Sequence, residues 1–267
     1  MSKIGFIGAG KMAEAMISGL IANRFAGPGE IVVSDISGER LTTLSSEYGV
    51  RITYSNAEVV ALAPVCVLAV KPQQLGEVLR DLAPSITQAH LMVSIAAGKS
   101  TVYLESLLPA GRVVRVMPNI ACLVGAGMNV FARGNRATAA DGLLVADLLG
   151  CCGRAYEMPE SLFDAVTALS GSGPAFFAYL LDGFVEGAVK EGMPREQALI
   201  LAAQTMAGTA QLLLQKGMNP SDLAAAVTSA KGTTAAGREV LETTVMSDIL
   251  KHTIQAAARR SRELGKS

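Results

Sequence analysis

The chain has 267 residues, 50% of them apolar and 17% charged, and its 23 basic and 23 acidic residues cancel to a formal net charge of zero. That length accommodates two ordinary domains and that apolar fraction a sizeable core, whereas the even charge excludes the basic surface that nucleic-acid binding needs. The longest apolar run, Val59 to Val70, is interrupted by Pro64 and is shorter than the ~20 residues of a bilayer span.

Near the start, Gly5 and Gly8 interrupt the apolar run that a signal peptide would keep whole, so a cytoplasmic protein with no membrane partner is expected. Cys66, Cys122, Cys151 and Cys152 form no C-x-x-C pair, and His90 and His252 stand far apart. Neither a disulfide framework nor a metal centre is therefore expected.

Short β-branched runs alternate with helical patterns through the first part of the chain. Strands are expected at Lys3–Ile7, Glu30–Ser34, Val65–Val70, His90–Ile95, Arg112–Met117, Met128–Ala132 and Arg154–Glu157. Helices are expected at Lys11–Asn23, Gly38–Glu47, Gln73–Leu82 and Thr101–Leu107. This alternation implies an α/β domain with a mainly parallel sheet, helices on both faces and ligands at the carboxyl ends of the strands. After Pro159 the strand-like runs stop. Glu160–Glu191 reads as helix interrupted at Gly171-Ser172-Gly173-Pro174, followed by Pro194–Lys216, a short helix from Asn219-Pro220-Ser221, and Ala236–Leu264. A division near residue 158 is expected, into domains 1–158 and 159–267. Small residues such as Ala202, Ala203, Ala207 and Gly208 allow close helix approach and suit an all-helical domain that pairs with a second copy.

The apolar run Ile4-Gly5-Phe6-Ile7 leads directly into Gly8, Ala9, Gly10, Lys11 and Met12. Glycines at 8 and 10 permit a tight turn and close approach of backbone to a pyrophosphate, while small Ala13 lets the following helix pack on the strand. The unpaired N–H groups at that helix start favour the phosphates. The second strand closes at Ser34 and Asp35. A carboxylate there accepts hydrogen bonds from ribose hydroxyls and repels a 2′-phosphate by roughly 1 to 4 kcal/mol, so NAD(P)H binding with a lean toward NADH is expected. The same residue could instead open a turn with Ser37 and Gly38, and Arg40 could swing toward a phosphate.

Five further segments carry a resemblance: Ala69-Val70-Lys71-Pro72-Gln73, Val93-Ser94-Ile95-Ala96-Ala97-Gly98, Arg115-Val116-Met117-Pro118-Asn119, Ser170-Gly171-Ser172-Gly173-Pro174-Ala175 and Val227 through Thr234. In this order and spacing the chain resembles the pyrroline-5-carboxylate reductases from Lys3 to about Leu264. The resemblance implies a Rossmann domain followed by an all-α dimerisation domain, and a site shared between subunits. It also implies reduction of 1-pyrroline-5-carboxylate to L-proline. Gly8, Gly10, Asn56, Ala69, Lys71 and Pro72 resemble cofactor-binding positions, with Ala97 and Asn119 near the nicotinamide. Ser229, Gly232, Thr233 and Thr234 match the loop that holds the substrate, a cyclic imine bearing a carboxylate. Backbone N–H groups ahead of the last helix suit that carboxylate, and the Thr234 hydroxyl suits the imine nitrogen. No His, Asp or Glu offers itself as general acid, which leaves solvent, relayed through Thr234, as proton source.

Three departures from the family pattern fall on the substrate side. Ala230-Lys231 stands where Pro-Gly is usual, Ile120-Ala121 where Thr-Pro is usual, and Val245-Met246-Ser247 where Gly-Phe-Arg is usual. Lys231 therefore joins the substrate candidates as a cation beside the carboxylate, and a related cyclic imine stays open as substrate. A β-hydroxyacid dehydrogenase would carry a lysine one turn after Gly173, where Pro174-Ala175-Phe176-Phe177 stands instead; the first later lysine is Lys190. A non-catalytic nucleotide-binding homologue is the remaining alternative.

Overall fold

The computed structural model describes residues 3–265. Its eight-stranded sheet is formed by β1 (Ile4–Ile7), β2 (Ile31–Ser34), β3 (Arg51–Thr53), β4 (Val65–Leu68), β5 (Leu91–Ser94), β6 (Arg112–Met117), β7 (Gly127–Arg133) and β8 (Gly153–Glu157). The order is β3-β2-β1-β4-β5-β6-β7-β8, and every neighbouring pair is parallel except β6 with β7. The first six strands follow the doubly wound order, whose direction of winding reverses between β1 and β4.

The intervening helices are α1 (Lys11–Ala22), α2 (Gly38–Tyr48), α3 (Asn56–Leu62), α4 (Pro72–Leu82), α5 (Thr101–Leu107) and α6 (Ala139–Gly150). Strands β1, β2, β4 and β5 are buried along their whole length, as strands covered on both faces must be. Alternation within β1 sends Ile4 and Phe6 to one core, with Met16, Leu20 and Val33. Ile7 goes to the other, with Leu68, Leu75 and Leu104.

The structure adds three elements the periodicity did not announce. Strand β3 is three residues long and not buried, so no apolar run marks it. Helix α3 runs straight into the apolar stretch that ends in β4, which hides its period. Helix α6 is apolar around much of its circumference; its signal is the capping box in which Thr138 and Asp141 satisfy each other's backbone N–H groups. Strand β4 also ends at Leu68, leaving Ala69 and Val70 in the loop above it rather than in the strand expected to reach Val70.

Beyond the sheet come α7 (Phe163–Val166), a π-helical turn at Thr167–Gly171, α8 (Gly173–Lys190), α9 (Arg195–Lys216), α10 (Pro220–Ala226), α11 (Thr233–Thr243) and α12 (Met246–Leu264). The interruption expected at Gly171–Pro174 is narrower: the π-helical turn ends at Gly171, Ser172 bends, and Gly173 and Pro174 already open α8. The single last helix expected over Ala236–Leu264 is two, because Thr244 adopts an extended conformation between them. The sheet ends at Glu157 as expected, but among the described residues contacts group 3–172 with 257–265 into one compact unit, and Gly173–Ala256 into a second.

Within the first unit, a charged bridge fastens β6 and α5 to the segment that follows the sheet. Arg115 Nη1 donates to Glu160 Oε1 at 2.8 Å, and the Thr101 backbone N–H and hydroxyl also donate to that carboxylate. The Arg115 guanidinium lies 4.6 Å from the centroid of the Phe163 ring. In the second unit, by contrast, α9 buries only Ala198, and Phe177, Tyr179, Phe184 and Ile200 are exposed. An apolar groove of about 780 Å³ between α8 and α9 is lined by Phe177, Leu180, Phe184, Leu201 and Leu213. Helix α9 is long and apolar enough, by length and composition, to cross a membrane.

Burial alone pushes the Glu160 carboxyl up, but the hydrogen bonds from Arg115 and Thr101 outweigh it and hold the group below the usual carboxylate value. A depressed carboxylate stabilises the fold above the unfolded value of ~4.3 and loses that contribution as pH falls through the folded value. Glu160→Gln is expected to lower stability by about 2 kcal/mol at pH 7, since it leaves Arg115 without its counter-charge. Urea unfolding at pH 7 and at pH 4 checks this: the difference between parent and variant shrinks at the lower pH.

Candidate functional site

The winding reversal between β1 and β4 opens a crevice at the carboxyl ends of the strands, and the glycine loop fills its floor. Gly8 N–H donates to the Ser34 carbonyl at 2.8 Å, and Ala69 N–H donates to the Ile7 carbonyl at 2.8 Å. These two bonds bring the loops above β1, β2 and β4 together. Gly8 has φ +106°, and a Cβ there would lie 2.6 Å from the Ala69 carbonyl oxygen, so both conformation and space demand glycine.

Gly10 differs. Its φ of −71° suits any residue, and a Cβ would meet nothing within 4 Å. The fold itself does not require glycine at 10. An open cradle at the start of α1, with no side chain capping that helix, fits a pyrophosphate approaching the N–H groups of Lys11 and Met12. The adjoining cleft of about 350 Å³ is lined by Gly8, Gly10, Ser34, Asp35, Asn56, Ala69, Val70 and Lys71. Ala9 is buried beneath it.

Polar contacts fix the walls. Ser34 Oγ donates to Asn56 Oδ1 at 2.7 Å, joining the end of β2 to the first residue of α3. Asp35 accepts from the Ala9 N–H through Oδ2 at 2.6 Å and from the Ser37 N–H through Oδ1 at 2.8 Å. The turn with Ser37 is therefore formed, and the carboxylate faces the glycine loop as well. Arg40 donates through Nε to the Ala9 carbonyl at 2.9 Å and through Nη2 to Glu14 at 2.6 Å. Lys71 precedes α4 and Pro72 opens it.

The cleft also takes in Ile36, Gln74, Glu77 and Val78, which sequence reasoning missed. Gln74 and Glu77 lie three and six residues beyond Lys71 on an exposed face of α4, the spacing that signals them, while Val78 beside them is half-buried against the core. Pro72 and Ala97 line a neighbouring cavity of about 590 Å³ with Gln73, Arg80, Lys99 and Tyr103. Asn119 lines neither. Its Nδ2 donates to the Ser170 carbonyl and its Oδ1 accepts from the Met128 N–H, so the amide ties the end of β6 to the π-helical turn and to β7. Burial pushes the Cys66 and Cys152 thiols up to about 12, which leaves neither as a thiolate nucleophile.

In the second unit, Thr228 through Gly232 form the loop ahead of α11. Gly232 N–H donates to the Ser229 carbonyl at 3.0 Å, Thr228 Oγ1 donates to the Ala224 carbonyl, and Arg238 Nη1 donates to Thr228 Oγ1 at 3.2 Å. Lys231 adopts a left-handed φ of 60°, the conformation its glycine counterpart would take freely. Gly232 is the N-cap residue, and no side chain caps the helix. The hydroxyls of Thr233 and Thr234, in the first turn, are thus free of the capping role those residues commonly fill.

The winding reversal, the glycine loop and the open helix start define a dinucleotide-binding protein of the doubly wound class. Residues 3–98 match the model described as NADP oxidoreductase, coenzyme F420-dependent, and residues 160–264 match pyrroline-5-carboxylate reductase dimerisation. A pyrroline-5-carboxylate reductase of Methanosarcina acetivorans is 44% identical over 99% of this chain and 98% of its own length. Among solved structures, a pyrroline-5-carboxylate reductase from Coxiella burnetii superposes with a TM-score of 0.95 at 32% identity, covering 100% of this chain and 99% of its own. The Plasmodium falciparum pyrroline carboxylate reductase, solved with NADP bound, gives 0.87 at 28% identity over 99% and 98%. The chain belongs to the pyrroline-5-carboxylate reductase family.

The two glycines make separable predictions. Gly8→Ala is expected to unfold the loop or the domain, because a methyl group cannot share space with the Ala69 carbonyl. Gly10→Ala should keep stability to within about 1 kcal/mol and weaken NAD(P)H binding by about tenfold or more. Thermal unfolding together with calorimetric titration of the dinucleotide distinguishes the two.

Proposed function

We propose that this chain reduces 1-pyrroline-5-carboxylate to L-proline with NAD(P)H, as the last reductive step of proline biosynthesis. The observation that carries the reading is the open glycine-loop cleft in a chain that matches this family from end to end. Gly8 and Ala9 shape the loop, Gly10 leaves room for the pyrophosphate at the N–H groups of Lys11 and Met12, Ser34, Asp35 and Asn56 face the adenosine ribose, and Ala69 through Pro72 with Ala97 flank the rest of the dinucleotide. When bound, the nicotinamide supplies the hydride that reduces the imine carbon. Asp35 favours NADH, since its carboxylate repels a 2′-phosphate. Asn119, its amide held by Ser170 and Met128, lies near the nicotinamide at the end of β6.

The substrate presents a carboxylate and an imine nitrogen. Gly232, its own N–H held by the Ser229 carbonyl, opens α11, and the uncapped N–H groups of Thr233 and Thr234 bind the carboxylate. Ser229 orders the loop, and Lys231 adds a positive charge near the same anion. Thr234 Oγ1 hydrogen-bonds the imine nitrogen and relays a proton to it from solvent. Protonation makes the carbon electrophilic, so orientation and a proton path carry most of the catalysis, and effective molarity from positioning supplies several kcal/mol. Two copies associate through the exposed apolar faces of α8 and α9, which accounts for a long apolar helix such as α9 without a membrane. The reading places the enzyme in the cytoplasm, where its four free cysteines stay reduced.

Thr234→Val tests the assignment. The variant is expected to lose about tenfold to a hundredfold in kcat/KM for the imine while dinucleotide affinity and melting temperature stay at parental values. A parent protein that binds NADH but consumes none with 1-pyrroline-5-carboxylate would contradict the reading.

A further inference from the structure

Both backbone polar groups of Ala9 are held by charged side chains from outside the glycine loop. Its N–H lies 2.6 Å from Asp35 Oδ2, and its carbonyl accepts from Arg40 Nε at 2.9 Å. Arg40 is in turn held by Glu14 on α1, with Nη2 to Oε2 at 2.6 Å, and Lys11 Nζ also reaches that carboxylate at 3.2 Å. The pair is substantially shielded: side-chain exposure is 27% for Arg40 and 15% for Glu14. The Arg40 hydrogen bond is the largest influence on the Glu14 carboxyl and holds it below the usual range, so Glu14 is ionised at neutral pH.

Between the end of β2 and Arg40 the chain runs Asp35-Ile36-Ser37-Gly38-Glu39, with no other basic residue. Arg40 is thus the one cation this segment offers to a phosphate on the ribose 2′ position, the role an arginine near this point takes in doubly wound domains that accept NADP. Here its charge is balanced by Glu14 and its Nε and Nη2 donors are engaged on α1 and the glycine loop.

We propose that Glu14 is a positioning residue that sets cofactor preference: by neutralising Arg40 and holding its guanidinium against α1, it denies the 2′-phosphate a counter-charge and so favours NADH. The inference rests on the dinucleotide reading of the cleft and deepens it. Two carboxylates, Asp35 and Glu14, then act at one end of the cleft by different routes, Asp35 directly and Glu14 through Arg40. Releasing Arg40 restores a free cation beside the ribose without altering any residue that lines the cleft.

The experiment is calorimetric titration of NADH and NADPH into the full-length parent, Glu14→Gln, Glu14→Ala, Arg40→Gln and the double variant Glu14→Gln/Arg40→Gln. Glu14→Gln and Glu14→Ala are expected to shift the ratio of the two dissociation constants toward NADPH by about fivefold or more, the value of one unscreened charge at a solvated site. The double variant should lose that shift, and added salt should reduce it. A Glu14 variant that weakens both cofactors by one common factor would make the residue merely structural and overturn the proposal, as would a shift that survives in the double variant. If the parent binds neither dinucleotide, the cofactor reading falls and this proposal with it. If the parent binds and the Glu14 variants keep its ratio, the proposal alone falls.

Discussion

Between the ends of β1 and β4, the Gly8 backbone lies so near the Ala69 carbonyl that no side chain fits between them. The rest of the cofactor site depends on this approach. It lets Ile7 accept from Ala69 and Gly8 donate to Ser34, so three loops meet above three parallel strands. It also sets where α1 begins, and hence where a helix start without a side-chain cap faces a cleft. Anion binding at such a start needs only N–H groups and a dipole. Two residues further on, the chain has both room and backbone angles for a larger residue at Gly10, so the proposed pyrophosphate, and not the fold, accounts for glycine there.

Charges around the loop act on the same few ångströms of backbone. Asp35 and Arg40 hold the N–H and carbonyl of Ala9 from opposite sides, and Glu14 completes the chain of contacts back to α1. A loop fixed in this way needs little reorganisation when the dinucleotide arrives, which lowers the entropy cost of binding. The charged bridge of Arg115, Glu160 and Thr101 does similar work farther along the chain. It holds the segment that carries Ser170, whose carbonyl receives the Asn119 amide.

Much of this was legible in the sequence where local rules suffice. A strand covered on both faces, such as Val65–Leu68, declares itself as an unbroken apolar run, and the glycine loop has a fixed offset from the strand before it. The order of motifs identified the family. What stayed hidden depended on partners distant in sequence. Arg40 is legible as a cation within reach of a phosphate, but Glu14 looks like an ordinary helix-surface residue, and only the fold brings the two together. The Asn119 amide is engaged by Ser170 and Met128, contacts no spacing rule announces. Strand β3 was missed because Arg51–Thr53 has no buried apolar pattern. The break between α11 and α12 was missed because Thr244 and Val245 carry no glycine or proline to mark it.

On the substrate side the family pattern and this chain differ most. Lys231 occupies a left-handed position suited to glycine and carries a charge into the loop ahead of α11. Hydride delivery to a five-membered cyclic imine carboxylate is measured by initial rates of NADH and NADPH oxidation with 1-pyrroline-5-carboxylate, 1-pyrroline-2-carboxylate and the six-membered homologue. The highest kcat/KM is expected with 1-pyrroline-5-carboxylate, with one L-proline formed per dinucleotide oxidised. No oxidation with any of the three imines, or a clear preference for one of the other two, would contradict it.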